Sequence, residues 1–164
     1  MELNSLSGPS EGIALETQEG NPITNDQSRE IWNRDEKEFE RYEDKYGDVT
    51  IKRTEPDAGY NCHGLTFGSR RTWIYDSDDL QMIISDDCYH EVDDSEVLPG
   101  DILLYIDESG DIEHSGIVAK LPSPDDVLSI PTIFRKWGKY AEILHKANQC
   151  PYNYGRHQYY RKLS

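Results

Sequence analysis

Two residues of this sequence, Cys62 and His114, have side chains suited to nucleophilic catalysis. A cysteine thiolate attacks carbonyl carbons, and it needs a base to take the thiol proton, usually a histidine distant in sequence. The stretch GYNCHGLTFGSRRTWI begins at Gly59 and places the helix-capping residue Asn61 directly before Cys62. We therefore expect Cys62 in the first turn of a helix that runs through Trp73, where the helix dipole favours the thiolate.

His114 is the best candidate among the five histidines for the base. It follows a turn and opens a predicted strand, so its ring can face an active site. His63 comes directly after Cys62 and is expected to point elsewhere on the helix, because neighbouring residues do not share a helix face. His90 and His157 lie among polar residues and are expected at the surface.

Cys62 also fits a purely structural role, because free cysteine is among the most buried residue types. A metal site is a further alternative, but the candidate ligands show no Cys-x-x-Cys pair and no known zinc spacing; they are Cys62, Cys88, His90, His145 and Cys150. The segment RKWGK and the tyrosine-rich tail CPYNYGRHQYYRK could bind a nucleic-acid strand by stacking, although aromatic residues more often fill cores. We expect neither a metal nor another cofactor.

Hydrophobic periodicity predicts the elements that must position these residues. Apolar residues recur at near-helical spacing from Ser28 to Gly47, which indicates an amphipathic helix with a solvated charged face. A short strand is expected at 48–54, and 78–94 is a second helix or a loop. The remaining apolar runs predict strands, the first two joined as an antiparallel hairpin, at 102–106, 117–121, 127–134, 140–145 and 157–163. Helices followed by a strand meander predict an α+β fold.

Length and composition indicate one domain. A chain of 164 residues can bury one sizeable core. Residues 1–27 are rich in small and polar residues, which predicts a flexible N-terminal arm whose deletion leaves folding unchanged, and residues 28–164 then form the single domain. The net charge of −15 opposes binding to nucleic acids and anionic membranes, so we expect no partner of either kind. A peptide or protein substrate, or a basic protein partner, suits this charge better.

The cysteines and the N-terminal stretch indicate the cellular compartment in which the protein is made. Three widely spaced cysteines show no disulfide framework, so at least one thiol should be free. The N-terminal stretch has neither a basic start nor an apolar run typical of a signal peptide, and no segment is apolar enough to span a membrane. We expect a protein that is cytoplasmic as synthesised, with export independent of a signal peptide left open.

Three motifs resemble the NlpC-like cysteine peptidases, a papain-fold group. YNCHGLTF is similar to their Tyr-Asp-Cys-Ser-Gly-Leu element, LPGDILLY to their Pro-Gly-Asp-Leu strand, and HSGIVAK to their His-Val-Gly-Ile-Tyr strand. The motifs occur in the family's order and cover roughly Gly59 to Leu163. The resemblance implies a papain-like fold in which a helix presents the cysteine to an antiparallel sheet that carries the histidine.

The resemblance also implies roles for individual residues. Cys62 would attack an amide or ester carbonyl, and His114 would hold the proton and return it to the leaving amine. The backbone N–H of Cys62 could stabilise the oxyanion, and Tyr60 could orient the substrate or complete that oxyanion hole. Asn61 replaces the family's aspartate and still caps the helix. No cofactor is implied.

The family's third polar residue, which orients the catalytic histidine, has no clear equivalent. The returning strand carries Arg135 and Lys136, which are donors and cannot accept an imidazole N–H. A backbone carbonyl, Glu142 or His145 remains, and the geometry of an antiparallel return favours Glu142.

The sequence thus supports two main hypotheses. The first is a cysteine hydrolase that cleaves an amide bond in a peptide, either a cell-wall peptide or a protein, as a delivered effector or toxin or as an intracellular protease, deamidase or acyltransferase. The second is a non-enzymatic binding module that retains the papain-like fold. A low thiol pKa coupled to a histidine distinguishes the first from the second.

Overall fold

A computed structural model describes residues 12–27, 30–151 and 155–163 of the chain. Within these ranges the helices are α1 (Asn33–Tyr46), α2 (Cys62–Phe67) and α3 (Ser77–Asp86), with a 3-10 turn at Asp94–Glu96. The strands are β1 (Thr50–Lys52), β2 (Tyr89–Val92), β3 (Ile102–Ile106), β4 (Ile112–Lys120), β5 (Thr132–Lys136), β6 (Glu142–Lys146) and β7 (Arg156–Lys162). The fold is α+β, as the sequence predicts.

All seven strands form one sheet in the order β1-β6-β5-β4-β3-β7-β2, and every neighbouring pair is antiparallel. The predicted β3–β4 hairpin is confirmed, but β4 begins at Ile112 and not at Ile117. His114 therefore lies inside the strand, opposite Tyr105. The meander continues through β5 and β6, whose connection turns at Gly138 with a φ of +58°.

Alternation along the strands divides the core into two clusters, because successive side chains point to opposite faces of a sheet. On one face, Leu103 and Tyr105 pack with Trp137 and the aromatic side of α1. On the other face, Ile102 and Leu104 pack with α3. The sheet therefore lies between α1 on one side and α3 on the other.

Helix α1 contributes its aromatic residues to the first cluster. Phe39 stacks on Tyr140 with ring centroids 4.9 Å apart, and Tyr42 and Tyr46 each meet the ring of Trp137 edge-on. These contacts confirm the amphipathic helix that the aromatic spacing predicts. Its predicted start at Ser28 differs from the observed start at Asn33, and residues 28 and 29 lie outside the described ranges.

The sequence predicts either a second helix or a loop for residues 78–94. In the structure this segment contains most of α3 and all of β2. Asp76 caps α3, because its side chain accepts the backbone N–H groups of Asp78 and Asp79. Cys88, at a φ of +62°, turns the chain from the helix into β2. This capped helix and sharp turn explain why a single helical pattern does not run through the segment.

The predicted arm, residues 1–27, differs from the structure over its described part, while residues 1–11 lie outside the described ranges. Ile23 is only 4% exposed and packs in the second cluster. The Thr17 hydroxyl donates to Asp86 at 2.7 Å, and Asp26 exchanges two backbone hydrogen bonds with Trp73. Residues 12–27 are thus packed on the domain by apolar side chains, to which Leu15 also belongs, and by polar contacts that composition alone does not indicate.

Deletion of residues 1–27 is therefore expected to lower the free energy of unfolding by roughly 2 to 4 kcal/mol, from the lost burial of aliphatic side chains and the loss of several hydrogen bonds. Guanidinium denaturation followed by circular dichroism measures the change. Ile23→Ala in the full chain should reproduce most of the apolar part. Equal denaturation midpoints for the truncated and full chains would show that the segment contributes nothing to stability.

Candidate functional site

Cys62 is the first residue of α2, and Asn61 caps that helix as predicted. The Asn61 carboxamide oxygen accepts the backbone N–H groups of Gly64 at 2.9 Å and of Ile74 at 3.2 Å, and its nitrogen donates to the Ile74 carbonyl at 2.8 Å. These bonds join the start of the helix to the chain that follows it. The Asn61 side chain is therefore used in holding the backbone beside Cys62.

Helix α2 is shorter than the sequence predicts, ending at Phe67 and not continuing through Trp73. Ser69 and Arg70 adopt left-handed backbone conformations, with φ of +53° and +63°, which cannot continue a right-handed helix. The chain instead turns back, and the Arg70 N–H bonds to the Gly64 carbonyl. This turn places the Arg70 side chain next to the sheet.

The structure brings Cys62 and His114 together. Helix α2 packs against β4, and the Cys62 Sγ lies 3.8 Å from the His114 Nδ1. The β3–β4 pairing shifts at this point: Tyr105 pairs with His114 and Ile106 with Ile112, which leaves Glu113 as an extra residue. Such bulges redirect side chains near functional sites. The two residues, separated by about 50 positions in sequence, thus form a thiol–imidazole pair.

The electrostatic environment favours the thiolate of Cys62. Burial by itself raises the thiol pKa, but the charges and hydrogen bonds of His63 and His114 lower it well below its ordinary value. The pKa of His114 is lowered by burial and by the charge of Arg135, while its bond to Cys62 acts in the opposite direction. The thiol and the imidazole therefore titrate as a coupled pair that shares a proton.

His63 is buried against β4. Its side chain is 3% exposed, and its Nδ1 lies 2.8 Å from the Ser115 Oγ in β4. The charge of His63 also helps to lower the pKa of Cys62. His63 and Cys62 thus contact different side chains of β4, since His63 bonds Ser115 and Cys62 approaches His114.

None of the contacts that the structure shows for Glu142 is with the His114 ring. It begins β6, which β5 separates from β4, and its Oε1 accepts the Tyr60 hydroxyl at 2.6 Å and the Arg70 Nε at 2.5 Å. Burial and the Glu142 carboxylate raise the pKa of Tyr60 and keep the hydroxyl protonated. Tyr60 thus donates its proton to Glu142, which fixes the chain that precedes Cys62.

His145, the other sequence candidate for orienting His114, is buried against a different part of the core. Its Nδ1 lies 2.7 Å from the Lys146 carbonyl, and its ring centroid is 5.5 Å from that of Trp137. Burial and the charge of Arg135 lower its pKa to about 3, so the ring stays neutral at physiological pH. Its contacts are those of a packed core residue.

Lys136 is a buried cation near the site. From the sequence it was considered only as a hydrogen-bond donor that cannot accept an imidazole N–H. Its Nζ donates to the carbonyls of Asp57 at 2.5 Å and Gly138 at 2.6 Å, and it lies 4.7 Å from the centre of the Tyr60 ring. Burial lowers its pKa to about 8, against the opposing charges of nearby carboxylates. The alternation of β5 could have indicated that one of Arg135 and Lys136 faces α2.

His90 and His157 are half-buried and do not lie at the surface as expected. Within residues 12–27, 30–151 and 155–163, no group of three or more histidine, cysteine, aspartate or glutamate side chains is arranged to hold a metal ion. All three cysteines are free thiols, with Cys88 exposed and Cys150 buried. No helix in the described part of the chain has the length and apolar character needed to cross a membrane.

Comparisons with known proteins leave the site to be interpreted from its own geometry. No protein-family model matches the chain. No curated protein and no solved structure matches it either.

Proposed function

We propose that this protein is a cysteine hydrolase with a papain-like arrangement, cleaving an amide bond in a peptide or protein. The observation that carries the proposal is the 3.8 Å approach of the Cys62 Sγ to the His114 Nδ1, with a thiol whose pKa is lowered well below its ordinary value. A helix that presents a cysteine to an antiparallel sheet bearing a histidine supports the papain-like part of the proposal.

The reaction follows from this pair. The Cys62 thiolate attacks the carbonyl carbon and forms a tetrahedral oxyanion, which the Cys62 backbone N–H can bind because the first N–H of a helix has no acceptor within the helix. Collapse breaks the C–N bond, and the leaving amine takes the proton from His114. Water then attacks the thioester carbonyl carbon and its proton passes to His114; the C–S bond breaks, which restores the Cys62 thiolate and releases the acid. The Tyr60 hydroxyl donates its proton to Glu142, so we do not assign Tyr60 to the oxyanion site.

A non-enzymatic binding module is the second candidate, and the burial of Cys62 favours it. The residue is only 5% exposed, so a substrate carbonyl reaches Sγ only if neighbouring groups move. In a binding module the thiol would serve as packing, and no product would form. Thiol reactivity and product formation therefore decide between the two functions.

Cys62 is expected to be the fastest-labelled thiol at pH 6. There a thiol of pKa near 8.5 is only roughly 0.3% thiolate, whereas the lowered pKa of Cys62 leaves a much larger thiolate fraction. Iodoacetamide labelling with peptide mapping measures the rates at the three cysteines. Faster labelling of exposed Cys88 or of Cys150 at pH 6 would remove Cys62 as the nucleophile.

A second experiment with the full chain identifies the substrate. Purified peptidoglycan and a cell lysate are incubated with the full chain, and the products are identified by mass spectrometry. New peptide termini should appear with the wild-type chain and be absent with Cys62→Ser. A reactive Cys62 with no product from any peptide or protein would favour the deamidase or acyltransferase form of the proposal, which the same spectra reveal as mass changes without new termini.

A further inference from the structure

The β5–β6 hairpin holds residues 57–60, the stretch of chain that leads into α2. In the turn of the hairpin, the Lys139 carbonyl accepts the Asp57 backbone N–H at 3.1 Å. At the start of β6, Glu142 accepts the Tyr60 hydroxyl at 2.6 Å. Helix α2 begins two residues after this stretch, and its first residue carries the thiol. The position of the stretch on the hairpin therefore decides where the thiol lies.

Lys136, at the end of β5, makes a further contact with this stretch. The residue is fully buried, and its ammonium donates to the Asp57 carbonyl at 2.5 Å and to the Gly138 carbonyl at 2.6 Å. The same ammonium lies 4.7 Å from the centre of the Tyr60 ring, within the range of a cation–π interaction. One side chain thus joins the stretch to the hairpin through both its backbone and an aromatic ring.

An ammonium is a costly group at this place. Lysine is almost never fully buried unless its charge is compensated. Burial lowers the pKa of Lys136 to about 8, while the charges of Asp57, Glu142 and Cys62 act in the opposite direction. Glu142 is also the residue directly opposite Lys136 in the β5–β6 pairing. A methionine would fill a similar volume without the cost of burying a charge, so packing alone does not explain a lysine here.

We propose that Lys136 is a positioning residue for the nucleophile: its ammonium clamps residues 57–60 to the β5–β6 hairpin and so sets the separation between the Cys62 thiol and the His114 imidazole. The inference rests on the proposed function, because it concerns the same thiol–imidazole pair. In this role Lys136 touches neither the substrate nor the transferred proton. The clamp matters for catalysis because a misplacement of about 1 Å can cost on the order of 10²-fold in rate.

Lys136→Met tests the clamp, because the methionine side chain neither carries a charge nor donates a hydrogen bond. Lys146→Met is the matched control: the Lys146 Nζ also donates to a backbone carbonyl, that of Ile130 at 3.1 Å, but in the β4–β5 connection. Hydrogen exchange followed by mass spectrometry reports the order of residues 57–62. The pH profile of Cys62 alkylation reports the thiol–imidazole pair.

In folded Lys136→Met, backbone exchange over residues 57–62 should become about tenfold faster. The midpoint of the alkylation profile should move upward by about one pH unit, because the thiolate is less well held beside its cationic partners. Lys146→Met should change neither quantity. Faster exchange with a wild-type profile would make Lys136 a structural residue only, and unchanged exchange would show that no clamp exists; either result overturns the inference.

The two measurements separate this inference from the proposed function. If wild-type Cys62 shows the profile of an ordinary thiol, with a midpoint of about 8.5, the proposed function fails, whereas the exchange rates still show whether the clamp exists. If the wild-type midpoint is low and folded Lys136→Met reproduces it, only the role of Lys136 fails.

A measurement on the wild-type chain keeps the inference testable even if Lys136→Met does not fold. Nitrogen-15 NMR of labelled lysines should show the Lys136 ammonium protons in slow exchange with water and in nuclear Overhauser contact with the Tyr60 ring, with exposed Lys37 as the fast-exchanging reference. Lys136→Gln, which keeps an N–H donor but lacks the charge, should move the alkylation midpoint in the same direction as Lys136→Met. A rapidly exchanging Lys136 ammonium, or no shift in folded Lys136→Gln, overturns the inference.

Discussion

Replacing His114 by Ala is expected to lower kcat/KM for peptide hydrolysis by about 10²- to 10⁴-fold, the usual contribution of a general acid–base group. The imidazole has two tasks in the proposed reaction, stabilising the thiolate and protonating the leaving amine. Alkylation of Cys62 needs only the first task, and the charge of His63 also lowers the pKa of Cys62. We therefore expect hydrolysis to fall by a much larger factor than the alkylation rate at neutral pH.

The direction of the pH dependence follows from the lowered thiol pKa. The thiolate forms as the pH rises through the pKa of Cys62, so the alkylation rate rises there. Loss of a nearby imidazolium raises that pKa, and the rising limb of the profile moves to higher pH. Because the groups are coupled, the whole profile is compared between the wild type and His114→Ala.

His145→Ala is the control for His114→Ala. Its ring packs on Trp137 and bonds to the Lys146 carbonyl, so its loss should reduce stability. It should leave the pH profile of Cys62 alkylation close to that of the wild type. Equal hydrolysis by wild type and folded His114→Ala would falsify the catalytic pair and favour the binding-module function.

The substitution Gly64→Ala is expected to destabilise the fold by about 3 kcal/mol or more, at the upper end of overpacking effects. A Cβ at Gly64 would overlap the Thr72 carbonyl oxygen and would lie 3.1 Å from the Tyr60 Cβ. Thr72 is fully buried, and its hydroxyl bonds to Asn25 at 2.6 Å, so this backbone cannot easily move away. Guanidinium denaturation provides the measurement.

Helix propensity alone gives the opposite expectation for Gly64, because alanine is about 1 kcal/mol better than glycine inside a helix. Gly110→Ala is the control: its Cβ would meet nothing within 4 Å, but the φ of +87° is unfavourable for alanine. That change should cost only about 1 to 2 kcal/mol. Unchanged stability in Gly64→Ala would show that the chain after α2 does not pack against the helix as described.

Several parts of the fold follow from short-range pattern. The alternation and turn residues around β3 and β4 predict their hairpin, since both strands lie next to each other in sequence. The aromatic spacing in α1 predicts its buried face. Asn61 predicts the cap of α2, because the capping bond reaches only three residues along the chain.

Other features depend on strand order and could not be inferred in this way. The partner of Glu142 is set by the position of β6 beyond β5 and by the left-handed turn at Ser69 and Arg70. The Arg70–Glu142 pair joins residues 72 positions apart, and no local pattern encodes such a pairing. The packing of residues 12–27 escaped the sequence reasoning because one buried isoleucine hardly alters the composition of a polar segment.

By itself, the sequence determined the α+β class, the β3–β4 hairpin, the cap at Asn61, and Cys62 and His114 as candidates for one site, because residue type and local periodicity carry that information. Only the tertiary structure decided that Cys62 lies beside His114, that His63 bonds to Ser115, and that Glu142 bonds Tyr60. The physical reason is that hydrogen bonds and charges act over a few ångströms in space. Which groups come within that distance is decided by the packing of α2 on the assembled sheet.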